Sequence, residues 1–224
     1  MVSERLIAQT SALITCVALF IDSRGLAPPR LRRPVALFLL VAAVATYANF
    51  FQFSQRTFYP RWEMFHYFLG SKYAEELGYE RLYLCTALAD AESNPKQSLG
   101  QRRLRDLKND AIVSASVALR AADDCHGHFS SPRWQAFKAD VGFFRGQVEP
   151  RRWRQMQLDH GYNPAPAWTL LGHALTANVA ATSHYLGELA LLDPLLMLGV
   201  LGALGWAFGA QVAVSICSAA LWAG

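Results

Sequence analysis

The chain has 224 residues, of which 53% are hydrophobic and 17% are charged, and its formal net charge is +4. The apolar residues collect in residues 6–51 and 166–222, whereas most of the charge lies between them. This division is typical of an integral membrane protein whose spans flank a water-facing insert. The common motifs for nucleotide binding, serine or zinc hydrolysis and nucleic-acid binding do not occur, so these functions and a nucleic-acid partner are not predicted.

Two apolar segments in residues 1–52 predict membrane helices ahead of the insert. Residues 6–21 are short against the roughly 20 residues that a span needs, so a cleaved signal peptide is the alternative. Residues 34–51 form the clearer span. The loop between the two segments contains Arg24, Arg30, Arg32 and Arg33. The positive-inside rule keeps such a loop in the cytoplasm, so residues 53–164 are predicted to lie outside a bacterial inner membrane.

The insert, residues 53–164, is predicted to be mainly helical. Residues 60–73 place Trp62, Phe65, Leu69 and Tyr73 at helical spacing. Residues 80–91 predict a second helix that turns Leu82, Cys85, Leu88 and Ala89 inward. A third helix is predicted to begin at Ser131-Pro132 and to carry Trp134, Phe137, Val141 and Phe144 at helical spacing. A fourth is predicted to begin at Glu149-Pro150 and to end at Gly161. Residues 101–116 fit either a helix or two short strands joined at Lys108-Asn109-Asp110.

The third region, residues 165–224, is again apolar. Residues 167–182 are apolar on one side and contain His173 and Asn178, which fits an interfacial helix, a re-entrant helix or a short span. Residues 189–208 predict a span, and residues 211–222 begin another. The predicted fold is therefore mostly α, with about four membrane helices. The chain stops within an apolar pattern, so we expect a longer native protein.

Two of the four cysteines lie in the insert. Cys85 and Cys125 can pair as a disulfide if that side of the membrane is oxidising, and the sequence leaves the pairing open. Cys16 and Cys217 lie in apolar segments, where cysteine packs as a small hydrophobic residue.

Candidate catalytic residues lie on the first insert helix, where Glu63, His66, Tyr67 and Gly70 share one face. The face places a carboxylate one turn from an imidazole, with a glycine leaving room beyond them. Such a pair can act as acid and base or bind a divalent ion. An ordinary ion pair on the helix surface is the structural alternative.

Two further groups of acidic residues suggest metal binding. Asp90 and Glu92 form a D-x-E pair of the kind that binds hard cations such as Mg²⁺ or Mn²⁺, although acids near a helix end are also common for structural reasons. A mixed group around Cys125 fits either a transition-metal site or a polar loop. Its members are Asp123, Asp124, His126 and His128.

The layout of residues 34–93, an early span followed by an acidic residue and aromatic helices (HYFLGSKYAEELGYERLY), resembles the GT-C class of polytopic glycosyltransferases. Those enzymes use polyprenyl-phosphate-linked sugars. The resemblance implies that Glu63 activates the acceptor, that His66 and Lys72 meet the donor phosphate, and that Asp90 or Glu92 binds a divalent metal. On this hypothesis Tyr67, Lys72 and Tyr73 are the substrate-binding residues. The alternative is a non-enzymatic accessory or assembly subunit whose insert docks a membrane-protein partner.

Overall fold

The computed structural model describes residues 59–94, 99, 102–120, 122–209 and 212–213, together with scattered positions between residues 13 and 41. The predicted spans at residues 6–21, 34–51 and 211–222 therefore fall wholly or largely outside the described residues. The chain consists of two compact units. One is Tyr59–Gly187, and the second combines Met1–Phe58 with Glu188–Gly224. The first unit, here called the domain, runs past the predicted boundary at residue 164.

The described residues are mostly helical, as the sequence predicts. The helices are α1 (Arg61–Lys72), α2 (Ala74–Leu77), α3 (Leu82–Ser93), α4 (Val117–Arg120), α5 (Ala122–His128), α6 (Ser131–Gly146), α7 (Pro150–Met156), α8 (Pro166–Thr176), α9 (Ser183–Ala190) and α10 (Leu192–Phe208). The strands are β1 (Arg103–Asp106) and β2 (Ala111–Ser114).

The helical periodicity of the insert correctly predicts which faces are buried. Phe65 and Leu69 of α1 and Tyr73 at its C-cap are fully buried, because they form one stripe that faces the core. Trp62, the first residue of the predicted stripe, is only half-buried. The inward residues predicted for α3 are buried as well. On α6 the four predicted apolar residues are also buried, and Ser130 rather than Ser131 is the N-cap. Helix α7 begins after Glu149 as predicted, but it ends at Met156 instead of Gly161.

Residues 103–114 form strands, so the hairpin alternative is confirmed over the helix. The strands are antiparallel, with Arg103 opposite Ser114 and Asp106 opposite Ala111. Asp110 in the turn has a φ of 52°, a left-handed conformation that Asp adopts more readily than most residues. The hairpin is tied to the end of α7, because the Arg105 N–H donates to the carbonyl oxygen of Gln157 at 2.8 Å.

Cys85 and Cys125 form a disulfide, which decides the pairing that the sequence left open. The bond joins α3 to α5 across a sequence separation of 40 residues, and both cysteines are fully buried. The cross-link therefore lies inside the core of the domain and not at its surface.

Among the described residues, one helical segment is long and apolar enough to cross a membrane. This candidate span, Ser183–Phe208, consists of α9 and α10 and covers 26 residues. Its most apolar stretch has a mean hydropathy of 1.8, and none of that stretch is buried. The candidate span contains the predicted span at residues 189–208. The prediction of about four spans is thus reduced, for the part of the chain that the structure describes, to one candidate.

Candidate functional site

His66 lies inside the domain with only 5% of its surface exposed. Its Nδ1 lies 2.8 Å from the carbonyl oxygen of Trp62, and its Nε2 lies 2.7 Å from the hydroxyl of Tyr83. A carbonyl only accepts, so Nδ1 carries the proton and Nε2 accepts from Tyr83, whose oxygen in turn accepts from the Gly161 N–H at 3.0 Å. Burial lowers the pKa of His66 and favours this neutral form.

The predicted acid–base pair is not brought together. Glu63 lies exposed in the first turn of α1, whereas both ring nitrogens of His66 are already engaged in the core. The reason is that the buried side of α1 is wider than its apolar stripe and includes His66. The helix face that carries both residues therefore lies at the boundary of the core, with His66 inside and Glu63 outside.

The room predicted beside Gly70 is already filled. A Cβ placed on Gly70 would lie 2.2 Å from the ring of Tyr162, so this glycine allows close packing and does not leave an open pocket. Tyr67 is partly exposed and packs edge-to-face on Tyr162 and Trp168, with ring centroids 6.0 and 5.8 Å away. This face of α1 therefore packs against Tyr162, which precedes α8, and against Trp168 of α8.

Lys72 and Tyr73 are buried at the end of α1, where both contact Asp140 of α6. The Lys72 Nζ and the Tyr73 hydroxyl lie 2.6 and 2.8 Å from Asp140 Oδ2. The side chains of Lys72 and Asp140 are only 4% and 3% exposed. Burial and the neighbouring Asp140 carboxylate raise the pKa of Tyr73. These groups are enclosed by protein, so the predicted substrate contacts are occupied by internal ones.

The same residues hold the segment 177–181, which follows α8. Lys72 Nζ also donates to the Val179 carbonyl at 2.6 Å, and the Ala181 N–H donates to Asp140 Oδ1 at 2.8 Å. Arg133 donates to the carbonyl oxygens of Ala177 and Lys72 at 3.2 and 2.8 Å. We call Lys72, Arg133 and Asp140 the linker clamp, because the segment they hold leads directly into the candidate span.

Arg133 is itself held by a further acid. Its guanidinium forms a forked pair with the carboxylate of Glu76, with Nε 2.5 Å and Nη2 3.2 Å from the two oxygens. The hydrogen bonds to Glu76 raise the pKa of Arg133. The guanidinium also lies 4.5 Å from the centre of the Tyr73 ring. The clamp is therefore a network, and each charged member has an opposite charge within reach.

Asp90 contacts arginines and an indole. Arg102 Nη1 lies 2.5 Å from Asp90 Oδ2, the Trp153 Nε1–H donates to the same oxygen at 3.0 Å, and Arg145 lies 3.3 Å from Oδ1. The Nε and Nη2 of Arg102 are buried and find no acceptor among the described residues. Its described contacts are therefore those of a structural ion pair with cationic neighbours.

Glu92 lies on a different face of α3 from Asp90, since residues two apart on a helix do not face each other. It contacts His126 at 2.8 Å, Trp134 Nε1 at 2.9 Å and Lys138 at 3.3 Å. Burial alone would raise the pKa of Glu92, but these hydrogen bonds lower it. The structure thus separates the two acids that were predicted to share a cation. Within the described ranges, no group of three or more His, Cys, Asp or Glu side chains could hold a metal ion.

No protein-family profile, no curated protein and no solved structure matches the chain.

Asp140 and Arg133 were not predicted from the sequence, although the apolar pattern carries a signal for Asp140. Lys72 falls on the buried face of α1, seven residues after Phe65, and Asp140 falls on the buried face of α6, three residues after Phe137. One charge on each of two apolar faces, with opposite signs, predicts a buried pair. Nothing comparable marks Arg133, whose partners are mostly backbone carbonyls and Glu76.

Proposed function

We propose that this chain is a membrane-anchored protein whose domain serves as a non-enzymatic accessory or assembly module outside the cytoplasmic membrane. The linker clamp carries the proposal. Lys72 and Asp140 are buried, and their polar atoms hold the Val179 carbonyl and the Ala181 N–H immediately before the candidate span. These groups act on the connection between domain and anchor, and they are not available to a substrate.

The contacts of the other candidate residues support the same function. His66 has both ring nitrogens engaged inside the domain, and Asp90 is surrounded by Arg102, Arg145 and Trp153. Catalytic groups need access to the reacting atoms, and these two residues lack it. The buried disulfide supports a location outside the cytoplasm, since such bonds persist in oxidising compartments.

The partner that we propose is a helix of another membrane protein, docked on the candidate span. The most apolar stretch of that span is unburied, and nothing in the described chain lies within 4 Å of a Cβ placed on Gly199 or Gly202. Small residues on one helix face let a second helix approach closely in lipid. The face that carries Gly199 and Gly202 is therefore where a partner would be found, whereas a Cβ placed on Gly205 would already lie 3.8 Å from Ala213.

The experiment places a photo-crosslinking residue at Leu198 or at Val200 and illuminates cells that express the full chain. Leu198 lies on the glycine face and Val200 on the opposite face, with exposures of 63% and 52%. We expect one identified membrane protein to be trapped from Leu198 and not from Val200. A reciprocal probe in that protein must return to Leu198. Equal trapping from both positions, or none from either, would reject the proposal.

A second candidate, the glycosyltransferase hypothesis, is favoured by one observation, the exposure of Glu63 at the start of α1. Of the two residues predicted to be catalytic, only Glu63 could reach an acceptor. Glu63→Gln should then abolish sugar transfer from a lipid-linked donor in membranes that contain the chain, while crosslinking from Leu198 stays at background. Under the accessory function the same variant leaves trapping unchanged. A chain that shows neither transfer nor trapping would reject both candidates.

A further inference from the structure

Helix α8 has one face packed on the domain and another that no described residue covers. Gly172 lies against α1, where an added Cβ would come within 2.8 Å of Ser71, and the His173 Nδ1–H donates to the Ser71 carbonyl at 3.1 Å. The other face carries Ala167, Leu170, Leu171 and Ala174, all exposed. Leu170 and Leu171 are 76% and 47% exposed. Their spacing of 3, 1 and 3 makes a continuous apolar stripe on one side of the helix.

The composition of α8 suits lipid better than water. Its sequence, PAWTLLGHALT, contains no Asp, Glu, Lys or Arg. Trp168, in the first turn of α8, packs edge-to-face on Tyr67 of α1 with its Nε1–H buried, so the indole belongs to the side of α8 that the domain holds. An exposed helix face with two leucines and no charge is unusual for a domain surface in water, where charged residues normally cover it.

The chain sets the depth of α8 through its connection to the candidate span. Only residues 177–182 separate the end of α8 from the start of that span at Ser183. The Tyr185 hydroxyl donates to the Leu175 carbonyl at 2.5 Å, so the last turn of α8 is tied to the first turn of the span. The Thr182 hydroxyl accepts from the Tyr185 N–H at 3.2 Å and caps that first turn. A membrane helix begins near the headgroups, which places the end of α8 at the same level.

We propose that α8 lies in the membrane interface, with Ala167, Leu170, Leu171 and Ala174 facing the acyl chains. The occupant of the apolar stripe is the lipid bilayer itself. Of the three structures that the sequence allowed for this segment, the contacts of Gly172 and His173 with Ser71 favour an interfacial helix, since one side of α8 is held by the domain. The inference rests on membrane anchoring by the candidate span, which is part of the proposed function.

The test uses nitroxide labels on the full chain reconstituted in phosphatidylcholine vesicles. Cys16 and Cys217 are replaced by serine, and the Cys85–Cys125 disulfide is kept, so that each added cysteine is labelled alone. Labels are placed at Leu170 and Leu171, at Val200 as the membrane control, and at Gln135, an exposed residue of α6, as the water control. All four positions are exposed, so folding should tolerate the label.

We expect collisions with a water-soluble nickel complex to be severalfold rarer at Leu170 and Leu171 than at Gln135. Collisions with oxygen should rise toward the value at Val200. In a scan of residues 167–171 and 173–174, oxygen access should peak on the apolar stripe and fall at Thr169, on the side of α8 that packs on the domain. Labels at Leu170 that behave like Gln135 would overturn the inference, and labels shielded from both probes would indicate a protein partner and overturn it too. Free nickel access at Val200 would reject the anchoring itself, which identifies a failure of the proposed function.

Discussion

The Nζ of Lys72 lies 2.6 Å from Oδ2 of Asp140, with both side chains almost wholly enclosed by the domain. A buried charge of this kind is tolerated only while its partner is present. Asp140→Asn should therefore lower the free energy of unfolding by about 3–5 kcal/mol, because Lys72 would be left without a counter-charge. Urea unfolding of the full chain in detergent micelles, followed by circular dichroism, measures the loss.

The matched control is Asp124→Asn, which removes a carboxylate from an exposed pair with Arg81. That change should cost less than about 1 kcal/mol. Adding Lys72→Met to Asp140→Asn should restore part of the stability, since no buried charge then remains. Equal small losses for Asp140→Asn and Asp124→Asn would show that the linker clamp does not stabilise the domain.

The Cys85–Cys125 disulfide should contribute substantially to stability. A cross-link over a sequence separation of 40 residues restricts the unfolded chain by about 4 kcal/mol in the loop-entropy treatment. Reduction of the wild-type protein should lower its unfolding midpoint, and reduction of the variant with both Cys85→Ala and Cys125→Ala should not. If the reducing agent shifts the two proteins equally, the stabilisation does not come from this bond.

Gly70 should be intolerant of even one added methyl group. Gly70→Ala puts the new carbon 2.2 Å from the Tyr162 ring and should cost about 1–3 kcal/mol. Gly142→Ala in α6 is the control, because no described residue lies within 4 Å of its added carbon. That substitution should stabilise by about 0.5–1 kcal/mol through helix propensity. The double variant with Tyr162→Leu should recover much of the Gly70→Ala loss, and a failure to recover would refute the contact as its cause.

The domain should lose stability as the pH falls below 6.5, through His66. Its pKa is lowered in the folded protein, mainly by burial, so the unfolded chain binds the proton more readily. The stability is full above the unfolded pKa of about 6.5 and declines as the pH falls from there toward the folded value. Unfolding free energies at pH 7.5 and 5.5 measure the decline. The decline should be smaller in His66→Gln. It should remain in the control His128→Gln, which changes an exposed histidine. An unchanged decline in His66→Gln would assign it to other groups.

The sequence by itself determined the local features of this protein. The burial of Phe65, Leu69 and Tyr73 on α1 follows from spacing alone, because a helix of 3.6 residues per turn leaves them only one common face. Apolar length alone likewise predicted the candidate span, and turn residues allowed the hairpin that the structure contains.

Only the tertiary structure decided what the polar residues do. Spacing placed Glu63 and His66 on one face, but it could not show that Tyr83, from another helix, would bind the imidazole. Nor could it show that Lys72 would meet Asp140, 68 residues away in sequence. The role of a polar group depends on which partner reaches it, and these partners come from distant segments whose approach depends on how whole helices pack.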